Sequence, residues 1–240
     1  MQKEIFEQPQ AIRDTLESRI SNNSVITSSF GYKAEEIFKN VKQIQIIACG
    51  TSYNAGLVAK YWIEDIAKIP CNVEVASEYR YRRPILLDKT LFVTLSQSGE
   101  TADTLEALKT AKKINNTIHS LCISNSPESS LTRLSDFTFL THAGPEIGVA
   151  STKAFSTQLV SLALLLCSIG KLKNNIDLKQ EKEIIDGLKR LPGLINEALL
   201  QEAQIKELAI RFIDKNSALF LGRGTMHAIA MEGALKLKEI

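Results

Sequence analysis

The sequence is poor in the residues that most often mark a metal centre or a disulfide framework. Its 240 residues include only three histidines and four cysteines, and no two cysteines form a C-x-x-C pair. The histidines are isolated from one another and show no metal-ligand spacing. These patterns predict no bound metal, and they favour reduced, mostly buried thiols in a cytoplasmic protein.

Long apolar runs and an excess of charge of one sign are also missing. The longest apolar stretch, residues 159–169, is interrupted by two serines and is too short to cross a bilayer. A net charge of +2 gives no reason to expect nucleic acid or an anionic membrane as the main partner. No signal peptide is predicted at the N-terminus. We therefore expect no nucleic acid and no membrane among the partners.

Three familiar nucleotide and hydrolase motifs are absent. No G-x-x-x-x-G-K-[ST] occurs, which argues against a P-loop. Gly222 and Gly224 lack the third glycine of the dinucleotide fingerprint, and residues 96–99 lack the leading glycine of a nucleophile elbow. Cys49 follows a predicted strand, but no partner base is identifiable, so a buried thiol is the better interpretation.

The sequence does contain a regular alternation of apolar strands and amphipathic helices. Five runs are predicted as strands, at residues 44–49, 71–76, 91–95, 118–123 and 137–140. An unusually apolar helix is predicted after the last strand, over residues 150–170. Near-continuous apolar strands in this order predict an α/β fold, a doubly wound and mostly five-stranded parallel sheet flanked by helices.

Composition divides the rest of the chain around this sheet. An amphipathic segment interrupted by Pro9 predicts one or two short helices within an N-terminal helical segment, residues 1–40. The sheet-forming domain is predicted over residues 41–170. Residues 171–215 are rich in Lys and Glu, and they predict a helical connector whose two helices are separated at residues 191–193.

The last residues, 216–240, repeat the pattern that begins the sheet. An apolar run, a Gly-Thr pair and a helix follow one another over residues 218–225, as they do over residues 46–51. A repeat of this kind predicts two copies of one α/β unit. Because one strand and one helix cannot bury a core alone, we expect the chain to be a fragment that is truncated within its second unit.

Polar clusters are predicted at the carboxyl ends of strands, where open parallel sheets bind their ligands. The strongest is the turn after the third strand, residues 96–101, which offers three hydroxyls and an amide at a helix N-terminus. Because such a terminus presents unpaired N–H groups, the turn predicts a phosphate site, whereas a helix N-cap would explain only one or two of the hydroxyls. The side chains of this predicted site are Ser96, Gln97, Ser98 and Thr101.

A second cluster, Gly50, Thr51 and Ser52, follows the first strand. The glycine allows the backbone to approach a ligand closely, but taken alone the motif favours a simple helix N-cap. A third cluster, residues 144–153, has two glycines that indicate either a loop against a ligand or an ordinary turn.

Glu232, Lys236 and Glu239 lie on one face of the predicted terminal helix. Pattern alone favours a solvated face of ion pairs. The alternative is that Glu239 acts as a general base whose charge is tuned by Lys236.

Four motifs in this order resemble the sugar isomerase half of the glucosamine-fructose-6-phosphate aminotransferase family, and the resemblance covers essentially the whole chain. The motifs are residues 49–52, 96–101, 146–153 and 232–239. The resemblance implies sugar isomerase (SIS) domains and the conversion of fructose 6-phosphate and glutamine-derived ammonia to glucosamine 6-phosphate, an amino-sugar and cell-wall precursor. It implies no metal, no organic cofactor and a homodimer.

The resemblance also implies roles for individual residues. Four positions of the family hold the sugar phosphate, and they match Ser96, Gln97, Ser98 and Thr101. Four others line the sugar, and they match Thr51, Ser52, Val149 and Ser151. The position matching Glu239 moves a proton between C1 and C2 of the sugar, and the lysine matching Lys236 lies close by.

The chain departs from the family pattern in ways that limit what we expect of it. It starts without the nucleophilic cysteine of the glutaminase domain, and it lacks the later part of the second SIS domain with its ring-opening histidine and closing lysine. We therefore expect the chain to bind phosphosugar weakly, if at all, and to turn over little or nothing. Two other functions stay open at this point. One is a phosphosugar sensor, although no helix-turn-helix is evident, and the other is a one-domain aldose–ketose isomerase, although the repeat argues against it.

Overall fold

The computed structural model describes all 240 residues, beginning with a helical N-terminal segment. This segment contains helix α1 (Gln2–Leu16), a hairpin of strands β1 (Ile20–Ser21) and β2 (Ser24–Val25), a 3₁₀ turn (Thr27–Phe30) and helix α2 (Ala34–Asn40). Helix α1 continues through Pro9, which has no N–H to offer the carbonyl of Ile5. The side-chain amide of Gln8 donates to that carbonyl instead, at 3.0 Å. The hairpin was not predicted, although Asn22 and Asn23 at its turn both adopt a positive φ, which asparagine tolerates better than most residues.

The centre of the fold is a five-stranded, wholly parallel sheet. Its strands are β3 (Gln43–Ala48), β4 (Cys71–Val75), β5 (Thr90–Ser96), β6 (His119–Ser124) and β7 (Phe137–Leu140). They lie in the order β4-β3-β5-β6-β7. The predicted α/β fold with a five-stranded parallel sheet is therefore confirmed, and each strand begins and ends within one residue of its predicted bounds.

Helices cover both faces of the sheet. They are α3 (Gly50–Trp62), continued by a π-helical turn (Ile63–Ala67), and then α4 (Ala76–Tyr81), α5 (Ala102–Ile114), α6 (Ser130–Leu134) and α7 (Lys153–Leu172). Side chains from α2, α3 and α7 form the larger apolar core on one face, and side chains from α4, α5 and α6 form a smaller core on the other. Neighbouring strand residues therefore point to different cores: Ile46 belongs to the larger one and Ile47 to the smaller one.

Helix α7 is long and apolar enough to cross a membrane by length and composition alone. However, 72% of its most apolar 18-residue window is buried inside the protein, and Leu162, Leu164 and Leu165 are fully inaccessible. Its apolar surface is therefore used in the larger core, where it packs against α1, α2 and α3.

The connector contains helices α8 (Leu178–Leu199) and α9 (Glu202–Ile210). The prediction of a break at residues 191–193 is wrong, because α8 runs through Pro192 and ends only at Leu199. A proline inside a helix costs about 3 kcal/mol, but Ile185 and Leu188 before it, and Ile195 after it, pack on the larger core. This packing holds both sides of the helix in line.

The last part of the chain contains helix α10 (Thr225–Glu239) and no strand. The prediction of a strand over residues 218–221 is wrong, because no other strand lies there to complete its hydrogen bonds. Every residue from 201 to 223 is exposed. Helix α10 packs against α3, and it buries only Ala228 and Glu232.

Candidate functional site

A polar cleft opens at the carboxyl edge of the sheet, where the strand order reverses between β3 and β5. The helices that follow these two strands lie on opposite faces of the sheet, and this arrangement leaves a crevice between their N-termini. The cleft has a volume of about 210 Å³. It is lined by Cys49, Thr51, Ser52, Leu95, Ser96, Gln97, Ser98, Thr101, Val149, Ser151 and Glu239.

The turn between β5 and α5 forms one wall of the cleft. The hydroxyls of Ser96 and Thr101 lie 2.9 Å apart, and the amide of Gly99 donates to the Ser96 hydroxyl at 3.0 Å. Thr101 is the N-cap residue of α5, but its side chain makes no capping hydrogen bond. The N–H groups at the start of α5 therefore have no side-chain acceptor, as an anion site requires.

Gly99 gives this turn its shape. Its φ of +67° lies in the left-handed region, and a Cβ at this position would stand 2.0 Å from the hydroxyl of Ser129. The neighbouring Glu100 points to the same loop, where its carboxylate accepts from the amide of Ser130 at 2.7 Å. Hydrogen bonds from the Ser130 side chain and backbone lower the pKa of Glu100. The turn therefore lies against the β6–α6 loop, and its one carboxylate is engaged there.

The start of α3 forms the opposite wall. Gly50 has a φ of +54°, and α3 begins there with Cys49 as its N-cap residue. Thr51 and Ser52 consequently lie inside the first turn, so the simple N-cap that the motif favoured is wrong. Ser52 is buried and receives a hydrogen bond of 2.9 Å from the side-chain amide of Gln158 on α7.

The loop before α7 brings Val149 and Ser151 to the cleft. Glu146 holds its second half, because its carboxylate accepts from the amide of Thr152 at 2.7 Å and from the hydroxyl of Ser151 at 3.2 Å. Val149 is 92% exposed. The carboxylate of Glu146 therefore takes the place at the N-terminus of α7 that a bound anion could otherwise occupy.

The first half of the same loop is held from α1. The carboxylate of Glu4 accepts from the amide of Ile147 at 2.6 Å and from the amide of Gly148 at 3.0 Å. These hydrogen bonds, with that of Gly148 the larger cause, lower the pKa of Glu4 to about 2. Glu4 is therefore ionised throughout the neutral range, and it ties the N-terminal segment to the edge of the site.

Helix α10 brings charge to the cleft. Glu239 lines it, and the ammonium of Lys236 forms an ion pair with the Glu239 carboxylate. Lys236 also donates to the hydroxyl of Thr51 at 2.8 Å. The ion pairs that pattern alone favoured on this face do form, from Lys236 to both Glu232 and Glu239, and Glu239 is exposed. The face is not wholly solvated, however. Glu232, one turn earlier, is 6% exposed and accepts from the Thr51 hydroxyl at 2.9 Å.

Nine of the eleven predicted site residues line this one cleft. Of the other two, Gly50 shapes the turn before Thr51, and Lys236 contacts Thr51 and Glu239. Sequence reasoning missed Leu95 as a lining residue and interpreted Cys49 as only a buried thiol. It also missed the supporting side chains Glu4 and Gln158, for which no local pattern exists.

Metal ligation has little support in this geometry, and the three buried thiols lie outside the cleft. The structure groups no three His, Cys, Asp or Glu residues that could hold a metal ion. Burial raises the pKa of Cys71, Cys122 and Cys167 to about 12, so these thiols are neutral at physiological pH. The functional groups that the cleft offers are hydroxyls, amides, the Cys49 thiol, the Glu239 carboxylate and, at its edge, the Lys236 ammonium.

The fold and the cleft define a doubly wound α/β domain with a small polar cleft at its switch point. The chain belongs to the SIS domain family, whose model matches residues 37–168.

Two relatives share this sequence closely. The glutamine–fructose-6-phosphate aminotransferase (isomerizing) of Pseudomonas putida is 54% identical over 240 residues, which are 100% of this chain and 39% of that protein. The chain thus spans well under half the length of the curated relative. The solved C-terminal domain of glucosamine-fructose-6-phosphate aminotransferase from Francisella tularensis is 51% identical, with a TM-score of 0.96 over 100% of this chain and 67% of that one.

A more distant structure shows the fold alone. Glucosamine-6-phosphate deaminase from Thermotoga maritima superimposes with a TM-score of 0.68 at 23% identity, covering 98% of this chain and 65% of that one.

Proposed function

We propose that this chain is the phosphosugar-binding isomerase part of a glutamine–fructose-6-phosphate aminotransferase. Such an enzyme makes glucosamine 6-phosphate from fructose 6-phosphate and glutamine-derived ammonia. One observation carries the proposal: a cleft of about 210 Å³ is lined both by an uncapped, hydroxyl-rich helix start and by the carboxylate of Glu239. A candidate phosphate-binding turn and a candidate proton-transfer group are thus within reach of one small phosphosugar.

The phosphate is held by the turn between β5 and α5. Ser96, Gln97, Ser98 and Thr101 supply neutral donors, and the start of α5 supplies N–H groups and the positive end of the helix dipole. The cleft holds no arginine or lysine among its lining residues. Binding by hydrogen bonds rather than by fixed charge allows a phosphosugar to be released after reaction.

The sugar lies between this turn and α10. Thr51, Ser52, Val149 and Ser151 line it, and Gly50 lets the backbone come close. After ammonia condenses at C2, the carboxylate of Glu239 takes a proton from C1 and returns it to C2. Lys236 places its positive charge beside that carboxylate and keeps it near the sugar. No metal or organic cofactor enters these steps.

The wider setting follows from the same proposal. The substrate and product are phosphosugars, and the reaction begins amino-sugar and UDP-N-acetylglucosamine synthesis. The chain acts in the cytoplasm as part of a homodimer. The four free cysteines support a reducing compartment.

Binding of glucosamine 6-phosphate tests the proposal directly. Calorimetry and thermal-shift titration up to millimolar ligand are expected to show saturable binding to the 240-residue chain. Replacing Ser98 by Ala removes one hydrogen bond to a charged group, and we expect affinity to fall by about 1–3 kcal/mol.

Thr110→Ala is the matched control, because Thr110 lies farther along α5 and outside the cleft. It also deletes one hydroxyl, and we expect its affinity to equal that of the parent chain. Equal binding by the Ser98 variant and the parent, or no binding by the parent at all, would refute the proposal.

A further inference from the structure

We infer that Glu232 is a positioning residue of the site, a buried carboxylate that orients the Thr51 hydroxyl and, through it, the ammonium of Lys236. This inference rests on the proposed function, since it assigns a task within the same cleft. Glu232 does not line the cleft itself.

The direction of each hydrogen bond in this group is fixed by its chemistry. A carboxylate only accepts and an ammonium only donates. Thr51 must therefore donate its single hydroxyl proton to Glu232, at 2.9 Å, and accept from Lys236, at 2.8 Å. The second carboxylate oxygen of Glu232 accepts from the side-chain amide of Asn54 at 2.8 Å.

This arrangement changes what Thr51 can do for a ligand. Its proton is committed to Glu232, so it has only a remaining lone pair to offer a sugar. Ser52, by contrast, accepts from Gln158 and keeps its own proton free. The two adjacent hydroxyls therefore play opposite hydrogen-bonding roles. Thr51 accepts from a donor on the sugar, such as a hydroxyl, whereas Ser52 donates to an acceptor, such as a carbonyl oxygen.

Glu232 also holds the charged end of α10 in place. Lys236 lies between two carboxylates, with its ammonium 3.5 Å from Glu232 and in an ion pair with Glu239. The chain before α10 is exposed from residue 201 to 223, so it gives α10 no buried support. Ala228 is the other buried residue of α10, and it lies two turns from Lys236. The hydrogen bonds of Glu232 to Thr51 and Asn54 on α3 are therefore the buried polar contacts nearest to Lys236, and we infer that they fix its place at the cleft.

The first experiment needs no ligand. Acylation of lysines with an amine-reactive ester, followed by mass spectrometry, compares Lys236 with the exposed Lys238 on the same helix. We expect Glu232→Gln and Thr51→Val to speed the modification of Lys236 several-fold and to leave Lys238 unchanged. Thr51→Ser retains the hydroxyl, and we expect the rate of the parent chain.

Undocking of α10 as a whole must be separated from a positioning role. Amide hydrogen exchange at Ala228, which is 1% exposed, reports on docking. We expect Ala228 to stay protected in Glu232→Gln while Lys236 becomes reactive. An unchanged acylation rate at Lys236 would overturn the inference. So would a fold-loss of amide-exchange protection at Ala228 equal to the fold-increase in the acylation rate of Lys236.

The second experiment measures ligand affinity. We expect Glu232→Gln to weaken glucosamine 6-phosphate binding about tenfold, or about 1.4 kcal/mol, and to leave the affinity for inorganic phosphate unchanged. The hydrogen bonds of Glu232 go to Thr51 and Asn54 on α3 and not to the phosphate turn, so we expect only the sugar part of the ligand to sense the change. The exposed Glu207 on α9 supplies the control, Glu207→Gln, which should alter neither affinity.

A double-mutant cycle completes the test. If Glu232 acts through Thr51, Glu232→Gln combined with Thr51→Val should cost no more than the larger single effect, because contacting residues are not additive. Fully additive losses would contradict the inference. A parent chain that binds neither phosphate nor phosphosugar would refute the proposed function, whereas the acylation result would still decide the role of Glu232.

Discussion

The same short pattern, an apolar run followed by Gly-Thr and a helix, occurs twice in this chain with two different results. At its first occurrence Ile47 lies in β3, between β4 and β5, and is fully buried. At its second occurrence the corresponding Leu221 is 86% exposed and belongs to no strand. Yet Gly50 and Gly224 both adopt a positive φ, of +54° and +62°. The turn forms from local sequence, whereas the strand requires neighbours.

The two regions also divide the candidate site between them. The sheet-forming body supplies the phosphate turn and the start of α3. The terminal region, residues 201–240, buries almost nothing, yet it supplies the only carboxylate that lines the cleft, Glu239. The part of the chain with the least packing therefore carries the groups with the most reactive chemistry.

The largest expected difference concerns stability. Ile47→Ala removes a fully buried side chain from the smaller core, and we expect a loss of about 2–5 kcal/mol in the free energy of unfolding. Leu221→Ala occupies the same place in the second pattern, but it is exposed, so we expect a change within about 0.5 kcal/mol. Urea unfolding followed by circular dichroism measures both. A large loss for Leu221→Ala would show that the second pattern is packed in solution.

For proton transfer the ranking of the two regions is reversed, because here a substitution in the terminal region is expected to have the large effect. In a protein extended to the full length of its relatives, we expect Glu239→Gln to lower turnover of fructose 6-phosphate at least about a hundredfold, with binding retained. The amide keeps the size of the side chain but cannot accept a proton from carbon. Formation of glucosamine 6-phosphate measures turnover, and the exposed Lys238→Ala on the same helix should change nothing. Unchanged turnover would remove Glu239 from the mechanism.

The features that sequence reasoning captured are those with a local cause. Strand bounds follow from runs of apolar residues, and the grouping of Ser96, Thr51 and Ser151 follows from the rule that parallel strands end at one edge. The failures have tertiary causes. Helix α8 continues through Pro192 because both sides of it pack on the core, and residues 218–221 form no strand because no partner is present.

The supporting contacts of the site could not be predicted from the sequence either. Gln158 is 106 residues from Ser52, and Glu4 is 143 residues from Ile147. No periodicity or spacing in the sequence connects such pairs. Glu232 was correctly placed on the face that it shares with Lys236, but its burial depends on α3, which the sequence does not show next to α10.

A smaller effect on stability is expected at Glu4, whose carboxylate holds the loop before α7. Glu4 has a pKa lowered from 4.5 to about 2 by hydrogen bonds from Gly148 and Ile147. Because the folded pKa is below the unfolded one, the carboxylate stabilises the fold fully above about pH 4.5, and this stabilisation is lost as the pH falls towards 2.

We therefore expect Glu4→Gln to lower the free energy of unfolding by about 1–3 kcal/mol at neutral pH. The difference from the parent should shrink as the pH falls below about 4.5. Urea unfolding at several pH values measures this, and Glu207→Gln in the exposed terminal region should show no difference at any pH. A difference for Glu4→Gln that is constant with pH would mean that its charge is not what holds the loop.

The smallest expected effect compares the two glycines that follow the repeated apolar runs. Alanine at a left-handed φ costs about 1–2 kcal/mol, and a Cβ would meet only Leu235 at Gly50, at 3.9 Å, and nothing at Gly224. Gly50→Ala should therefore lower the free energy of unfolding by about 1 kcal/mol through backbone strain alone, because its turn joins β3 to α3. Gly224→Ala also carries local strain, because a φ of +62° with a ψ of −135° suits glycine. Its turn joins no strand, however, so we expect global unfolding to stay unchanged while amide exchange in the first turn of α10 becomes faster. Equal losses of global stability for the two variants would show that α10 and the turn before it unfold together with the sheet, and the division of the chain into a packed body and a loosely held terminal region would then be wrong.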